Sequence, residues 1–243
     1  MQALTWGTLA AKMTDRFAGI ADIHGNRWAL EAVLEDIAAR GIRQIVNAGD
    51  HLAGPLDQEG TAKLLQERNL PSVAGNQDRE LFNGPHGAWL QTMPARLELA
   101  QDILMFHGTP ERDDVYLLET VGADGQVSIA TDKEIAERVG SVAQRLLICG
   151  HTHIPRVLEW RGRLLVNPGS VGLAAYSDDS PVRHLMETGS PMARYAIVER
   201  RSDGWRVELV AIPYDFESAA DAAERNGRPD WAFRLRTGRA TLG

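Results

Sequence analysis

Short apolar runs alternate with amphipathic stretches along most of this chain, and nearly every run stops at a polar residue with metal-binding or acid–base chemistry. Residues 17–21 form such a run and halt at Asp22. After the turn His24-Gly25-Asn26, residues 28–40 place Leu30, Val33, Leu34, Ile37 and Ala38 on one helical stripe, and Gly41 is positioned to end the helix. Residues 42–48 then read as a second strand that ends at Gly49-Asp50. A strand, helix and strand within roughly 30 residues predict a βαβ unit with parallel strands and a right-handed crossover.

The alternation continues. A helix is predicted at 61–68 and a strand at 71–74, leading into Gly75-Asn76, before Gly84-Pro85 and Pro94 break up a loop-and-helix segment. Residues 96–100 and 103–106, split by Gln101-Asp102, predict a hairpin that delivers His107. Thr131 and Glu134 have the spacing of a capping box that opens a helix to Val139, and a strand at 146–149 runs into Gly150-His151. Residues 157–160 and 163–166 predict a second hairpin around Arg161-Gly162, and 193–200 with 205–213 a last one. The stretch 177–190, rich in Ser, Asp, Gly and Pro, predicts loop, and 214–243 a helical tail. The whole pattern predicts one α/β domain over residues 1–243.

At 243 residues, 44% hydrophobic and 24% charged, the chain can bury a full core. No apolar run has the length needed to cross a bilayer. Residues 1–16 lack a secretory pattern and are expected to be extended or disordered, with Met13 a second candidate start. The single cysteine, Cys149, excludes an internal disulfide and reads as strand packing after Leu146-Leu147-Ile148. These features predict a cytoplasmic globular protein and select no oligomeric state. A net charge of −7 argues against a broad nucleic-acid surface. It leaves anionic substrates open, because bound cations can dominate a local field.

Asp22, Asp50, Asn76, His107 and His151 each lie one to three residues past the end of a predicted strand. Ligands in open α/β sheets gather beyond the carboxyl ends of strands. Asp22-x-His24 and His151-x-His153 each present two donors from one turn. Taken singly these are weak signals, since an Asp-x-His is commonly a turn and a His-x-His is as often a surface feature. Their weight comes from convergence at five strand ends. The set of two carboxylates, four imidazoles and one amide oxygen, without sulfur, suits Mn, Fe, Zn, Co or Ni. It suits two divalent ions better than one, and paired metals point to phosphate-ester chemistry. Around this set, His51 either faces the site or fills its loop, Asp78 either orients a ligand or caps the next helix, and Arg27 either contacts phosphate or is solvated. His86 and His184 are read as non-ligands. Arg225, Arg228, Arg234, Arg236 and Arg239 are read as a solvated or interface helix face, with a polyanion contact as the minor alternative.

The ordered series Asp22-x-His24, Gly49-Asp50, Gly75-Asn76-x-Asp78, His107 and Gly150-His151-x-His153 resembles the calcineurin-like metallophosphoesterase superfamily from residue 17 to about 170. Asn167-Pro168-Gly169-Ser170-Val171-Gly172 is similar to the loop after the last histidine pair in small prokaryotic phosphodiesterase-like members. The resemblance implies a four-layer α/β/β/α sandwich with two mixed β-sheets. It also implies one metal on Asp22, His24 and His153, a second on Asn76, His107 and His151, and Asp50 bridging them, with manganese the favoured cation. The implied activity is hydrolysis of a phosphodiester or nucleotide-like phosphate ester by a hydroxide bridging the two metals. Asp50, Asn76, Gln77, Asp78 and His51 are its catalytic candidates, and Asn76 with Arg27 its substrate contacts. Two departures stand out. Gly49-Asp50-His51-Leu52-Ala53-Gly54 lacks the Asp-Arg-Gly of the protein phosphatase branch, and Gln77 stands where many relatives carry His. Glutamine donates a hydrogen bond but supplies no proton. The alternatives are a phosphomonoesterase, protein phosphatase included, and a non-catalytic scaffold built on the same fold.

Overall fold

The computed structural model describes residues 13–242, so most of the N-terminal stretch expected to be extended or disordered lies outside the described residues. In chain order the elements begin with β1 (Arg16–Ile20), α1 (Arg27–Ala39), β2 (Ile45–Asn47), α2 (Gln58–Arg68), α3 (Asn76–Glu80) and α4 (Gly87–Leu90). Next come β3 (Arg96–Ala100), β4 (Ile103–Phe106), β5 (Glu119–Val121), β6 (Val127–Ile129), α5 (Asp132–Val139) and β7 (Leu146–Ile148). Then follow β8 (Arg156–Trp160), β9 (Arg163–Asn167), β10 (Ala175–Asp178) and β11 (His184–Glu187). The chain closes with β12 (Ala193–Arg201), β13 (Gly204–Ile212), α6 (Phe216–Arg225) and α7 (Pro229–Thr237).

Two mixed sheets organise these elements. One has the order β13-β12-β1-β2, the other β3-β4-β7-β9-β8, and two short ribbons pair β5 with β6 and β10 with β11. Strand periodicity divides each sheet between two cores. Along β1, Ala18 and Ile20 pack with Leu30, Val33 and Ile37 of α1, whereas Phe17 and Ala21 face the other sheet. Along β7, Leu146 and Ile148 meet Phe17 and Val198 across the sheet interface, whereas Leu147 and Cys149 pack with Ile135 and Val139 of α5. Packing therefore runs helix, sheet, sheet, helix, and Cys149 is a buried core residue.

Caps fix several boundaries. Asn26 accepts the Ala29 N–H at 3.1 Å to start α1, and Asp57 accepts the Gly60 N–H at 2.9 Å, which starts α2 three residues before the predicted Thr61. Thr131 and Glu134 form the expected capping box. Three features differ from expectation. Residues 71–74 form only a bridge between Ser72 and Asn47, because Pro71 has no N–H for a ladder. The 177–190 segment is loop only in part, since Ser177, Asp178 and residues 184–187 belong to the β10–β11 ribbon, with Ser177 opposite Leu185 and Asp178 opposite His184. The β5–β6 ribbon has no counterpart in the sequence pattern, its three-residue strands being too short to show a period.

β1 pairs with β2 in parallel, as β7 does with both β4 and β9. Their carboxyl ends from both sheets open onto the same loops.

Candidate metal centre

Seven non-glycine residues among those described have positive φ, and five are Asp22, His24, Asp50, His151 and His153, at 54°, 53°, 55°, 72° and 60°. Left-handed backbone is disfavoured for side chains with a Cβ and persists only where the surroundings impose it. Here the loops interlock. Asp22 N donates to Gly49 O at 2.9 Å, and Ile23 N to Asp50 O at 2.8 Å. Gly150 N donates to His107 O at 2.8 Å, and Gly172 N to Asp22 O at 3.0 Å. Each turn is thus held by a neighbouring strand end, which aims both members of an Asp-x-His or His-x-His pair inward.

The donor atoms form two overlapping groups, Asp22 with His24 and His153, and Asp22 with Asp50 and His107. His153 Nε2 is 3.5 Å from Asp22 Oδ1, and His107 Nε2 is 3.4 Å from Asp50 Oδ2. Asp50 Oδ2 also lies 3.9 Å from His24 Nε2, so one carboxylate reaches histidines of both groups. Asn76 Oδ1 stands 3.1 Å from His107 Nε2. His151 donates its backbone N–H to both oxygens of Asp22 at 3.2 Å, while its ring lies 5.1 Å from that of His107.

The histidine tautomers test whether cations fit. Nδ1 of His24, His107 and His153 faces the carbonyls of Ala53, Ala48 and Leu173 at 2.9, 2.7 and 2.5 Å. A carbonyl only accepts, so each Nδ1 carries a proton and Nε2 is the atom each ring turns to the cluster, as a lone pair in neutral His24 and His153. His24 Nε2 and His153 Nε2 are 3.1 Å apart, and burial pushes both imidazoles below their ordinary pKa. Two neutral rings with facing lone pairs repel unless a cation lies between them, so this donor set fits divalent metal.

Charge in the metal-free cluster is distributed unevenly. Burial drives Asp22 up to about 8 against the pull of His107, with Asp50 adding to the rise. Burial also disfavours charge on Asp50, but the charge and hydrogen bond of His107, with His24 and His151, together hold the carboxyl far below the usual range. For His107 burial is likewise overcome, by Asp50 and then Asp22, and the imidazole rises to about 10. His151 falls to about 3 through burial and the His107 charge.

A second ring of groups fixes the loops. Asp78 is fully buried and accepts from Asp50 N at 3.0 Å, His51 N at 2.9 Å, His51 Nδ1 at 2.8 Å and Gly75 N at 2.9 Å. Asn167 donates to Gly150 O at 2.8 Å and Thr152 Oγ1 at 3.0 Å, and Ser170 Oγ to Asp22 O at 2.7 Å. Gly75 has no room for a side chain, since a Cβ there would collide with the Asp50 carboxylate and backbone. Gly75→Ala is therefore expected to displace Asp50, cost about 1–3 kcal/mol of stability by overpacking, and lower bound metal. Thermal melting together with elemental analysis checks this, and unchanged metal content would contradict it.

The structure does not bring every sequence candidate to the donors. The His51 ring turns to Asp78 and packs edge-on to Trp89, 5.6 Å between centroids. Arg27 is engaged by Asp57 at 2.6 Å and Glu31 at 2.9 Å. Gln77 gives its backbone N–H to Asp50 Oδ1 at 3.0 Å, and its side chain lines a cavity of about 120 Å³ next to the donors. Tyr176 and Arg234 line the same cavity, and no sequence motif marks either as a site residue. Tyr176 packs on the His153 ring at 4.6 Å, and its hydroxyl lies 3.0 Å from His151 O. Tyr116 links that hydroxyl to His184, which is buried and belongs to neither donor group. A larger cleft of about 510 Å³, lined by Arg145, Arg163, Arg200 and Trp205, lies at the opposite strand ends and contains none of the donors.

The calcineurin-like phosphoesterase superfamily domain matches residues 16–189, and the chain belongs to that family. Its members are metal-dependent hydrolases of phosphate esters, and Asp22, His24, Asp50, His107 and His153 are this chain's candidate metal-binding residues. The uncharacterized protein MJ0912 of Methanocaldococcus jannaschii is 25% identical over 248 residues, spanning 88% of this chain and 94% of that protein. A metallophosphoesterase from Sphaerobacter thermophilus is 24% identical, with a TM-score of 0.70 over 90% of this chain and 97% of its own. The hypothetical protein PH1004 from Pyrococcus horikoshii OT3 is 15% identical, with a TM-score of 0.65 over 93% and 99% of the two chains. At these identities the two solved structures share the fold. Among the described residues no helix is long and apolar enough to cross a membrane.

Proposed function

We propose that this protein hydrolyses a phosphodiester or nucleotide-like phosphate ester at a centre of two divalent cations, acting in the cytoplasm as a single domain. The observation that carries the reading is the pair of overlapping donor groups built on left-handed backbone at separate strand ends. Strain of this kind is kept where function requires it. Asp22, His24 and His153 would hold one ion, Asn76, His107 and His151 the other, and Asp50 would span both. The nitrogen and oxygen donors suit Mn, Fe, Zn, Co or Ni, with manganese favoured.

Bound there, the cations supply charge neutralisation for the phosphoryl oxygens and make a water nucleophilic near neutral pH. The chain's own residues prepare that chemistry. Backbone carbonyls keep Nε2 of His24, His107 and His153 as acceptors of a cation, and Asp78 holds the Asp50 turn in place. Gln77 borders the cavity and has N–H groups for a phosphoryl oxygen but no acidic proton for a leaving group. Substrates whose leaving oxygen needs little protonation are therefore favoured.

Initial rates of the manganese-loaded protein on bis(p-nitrophenyl) phosphate and p-nitrophenyl phosphate test the reading. The diester is expected to turn over faster. A strong excess on the monoester would move the assignment to phosphomonoesterase, and hydrolysis of neither ester would favour a scaffold.

A further inference from the structure

The cavity beside the metal donors has a volume of about 120 Å³, room for roughly four waters at ~30 Å³ each. That is the scale of one phosphoryl group. Part of its lining comes from the C-terminal helix α7, through Trp231 and Arg234. Among the described residues around it, Arg234 is the one arginine or lysine. Its side chain is only 13% exposed. Nη2 donates to Ser177 Oγ at 3.1 Å and lies 3.4 Å from Asp230 Oδ2. Both oxygens of Asp230 are also gripped by Arg228, at 2.8 and 2.7 Å. The counter-charge offered to Arg234 is therefore long and shared. A guanidinium has five N–H donors, and burying one with weak compensation is costly unless a ligand completes it. Asp178, which the β10–β11 ribbon adds to the lining, accepts Ser180 N at 2.9 Å.

We propose that Arg234 is the phosphate clamp of this site, donating N–H groups to a non-bridging oxygen of the phosphoryl group held over the metal donors. This rests on the phosphoesterase reading above. Other basic residues near the centre are committed elsewhere, Arg27 to Asp57 and Glu31, and Arg79 to Asp113 at 2.7 and 2.8 Å. The segment from Gly49 to Gly54 contains no arginine. The tail thus supplies the planar fork that the Asp50 turn lacks. A guanidinium can engage two oxygens of one phosphate in parallel, which an ammonium cannot.

Inorganic phosphate titrated calorimetrically into the manganese-loaded protein reads the clamp without turnover. Arg234→Met keeps the apolar stem, Arg234→Gln keeps a donor for Ser177, and Arg234→Lys keeps the charge. The Met and Gln variants are expected to bind phosphate on the order of ten- to a hundred-fold more weakly with unchanged metal content. Lys should recover part of that loss. With bis(p-nitrophenyl) phosphate, KM should rise by more than kcat falls. Phosphate affinity within about two-fold of wild type in either neutral variant would overturn the proposal, as would loss of metal together with phosphate. If Arg234→Met does not fold, Arg234→Gln decides. Should the wild-type protein hydrolyse neither ester and still bind phosphate through Arg234, the enzymatic reading falls and the clamp stands. Turnover of the diester with phosphate binding indifferent to Arg234 would instead remove the clamp and leave the enzymatic reading intact.

Discussion

Asp50→Ala is expected to reduce phosphate-ester hydrolysis by roughly a thousand-fold and to lower the bound metal per chain. The carboxylate stands 3.4 Å from His107 Nε2 and 3.9 Å from His24 Nε2, so its loss touches both donor groups at once. It also leaves Gln77 N without its acceptor and His107 without the anion that holds its proton. Asp50→Asn keeps the shape and removes the charge, which separates the two contributions. Activity and metal content should fall together in both variants. Hydrolysis within about ten-fold of wild type, in protein freed of trace metal and reloaded, would remove Asp50 from the centre.

Loading metal into the stripped protein is expected to release about two protons near pH 7. Asp22, at about 8, and His107, at about 10, are then mostly protonated, and both must give up a proton to serve as ligands. Apparent affinity should therefore climb with a slope of about two decades per pH unit below 8, about one between 8 and 10, and level off above. His24 and His153 take no part, since burial keeps both neutral. Calorimetry in buffers of different ionisation enthalpy counts the protons directly, and a pH-independent affinity would refute the distribution of charge described here. The same groups bear on folding of the metal-free protein. Asp22 is raised from 3.8 to about 8, so it costs stability progressively as pH climbs through that window. His107, raised from 6.5 to about 10, contributes stability below 6.5 that is lost as pH passes 10. Metal-free protein should thus melt at lower temperature as the medium becomes alkaline, and bound metal should offset the loss.

The donors are visible in the sequence because each follows directly on the strand that aims it. Asp22, Asp50, His107 and His151 end apolar runs, and the physics that terminates a strand also places its next side chain at the sheet edge. Arg234 and Tyr176 are hidden for the opposite reason. They belong to α7 and to a four-residue ribbon strand, and nothing local marks an arginine on a charged helix as facing inward. Two ion-pair sets occupy its neighbours, Arg228 with Asp230, and Arg236 with Glu217, Asp221 and Glu224, so the solvated-face expectation holds for those and fails at Arg234. His51 illustrates a third case. Adjacency to Asp50 suggests the site, but the step through a left-handed turn reverses its direction toward Asp78. The β10–β11 ribbon is masked because Ser, Asp and Pro fill residues 177–181, which run from the end of β10 into its turn, and each strand has only four residues.

β1, which carries Asp22 at its tip, sits between β2 and β12, with Arg16 opposite Glu199. The partner on one side, β12, is therefore synthesised only after β2 to β11. Until the ribosome has released that segment, the strand that founds the centre has an open flank, and such flanks invite pairing with other chains. The family domain match closes at residue 189, just short of β12. A fragment trimmed to that boundary would retain every metal donor and still leave the strand beneath Asp22 unpaired along one side.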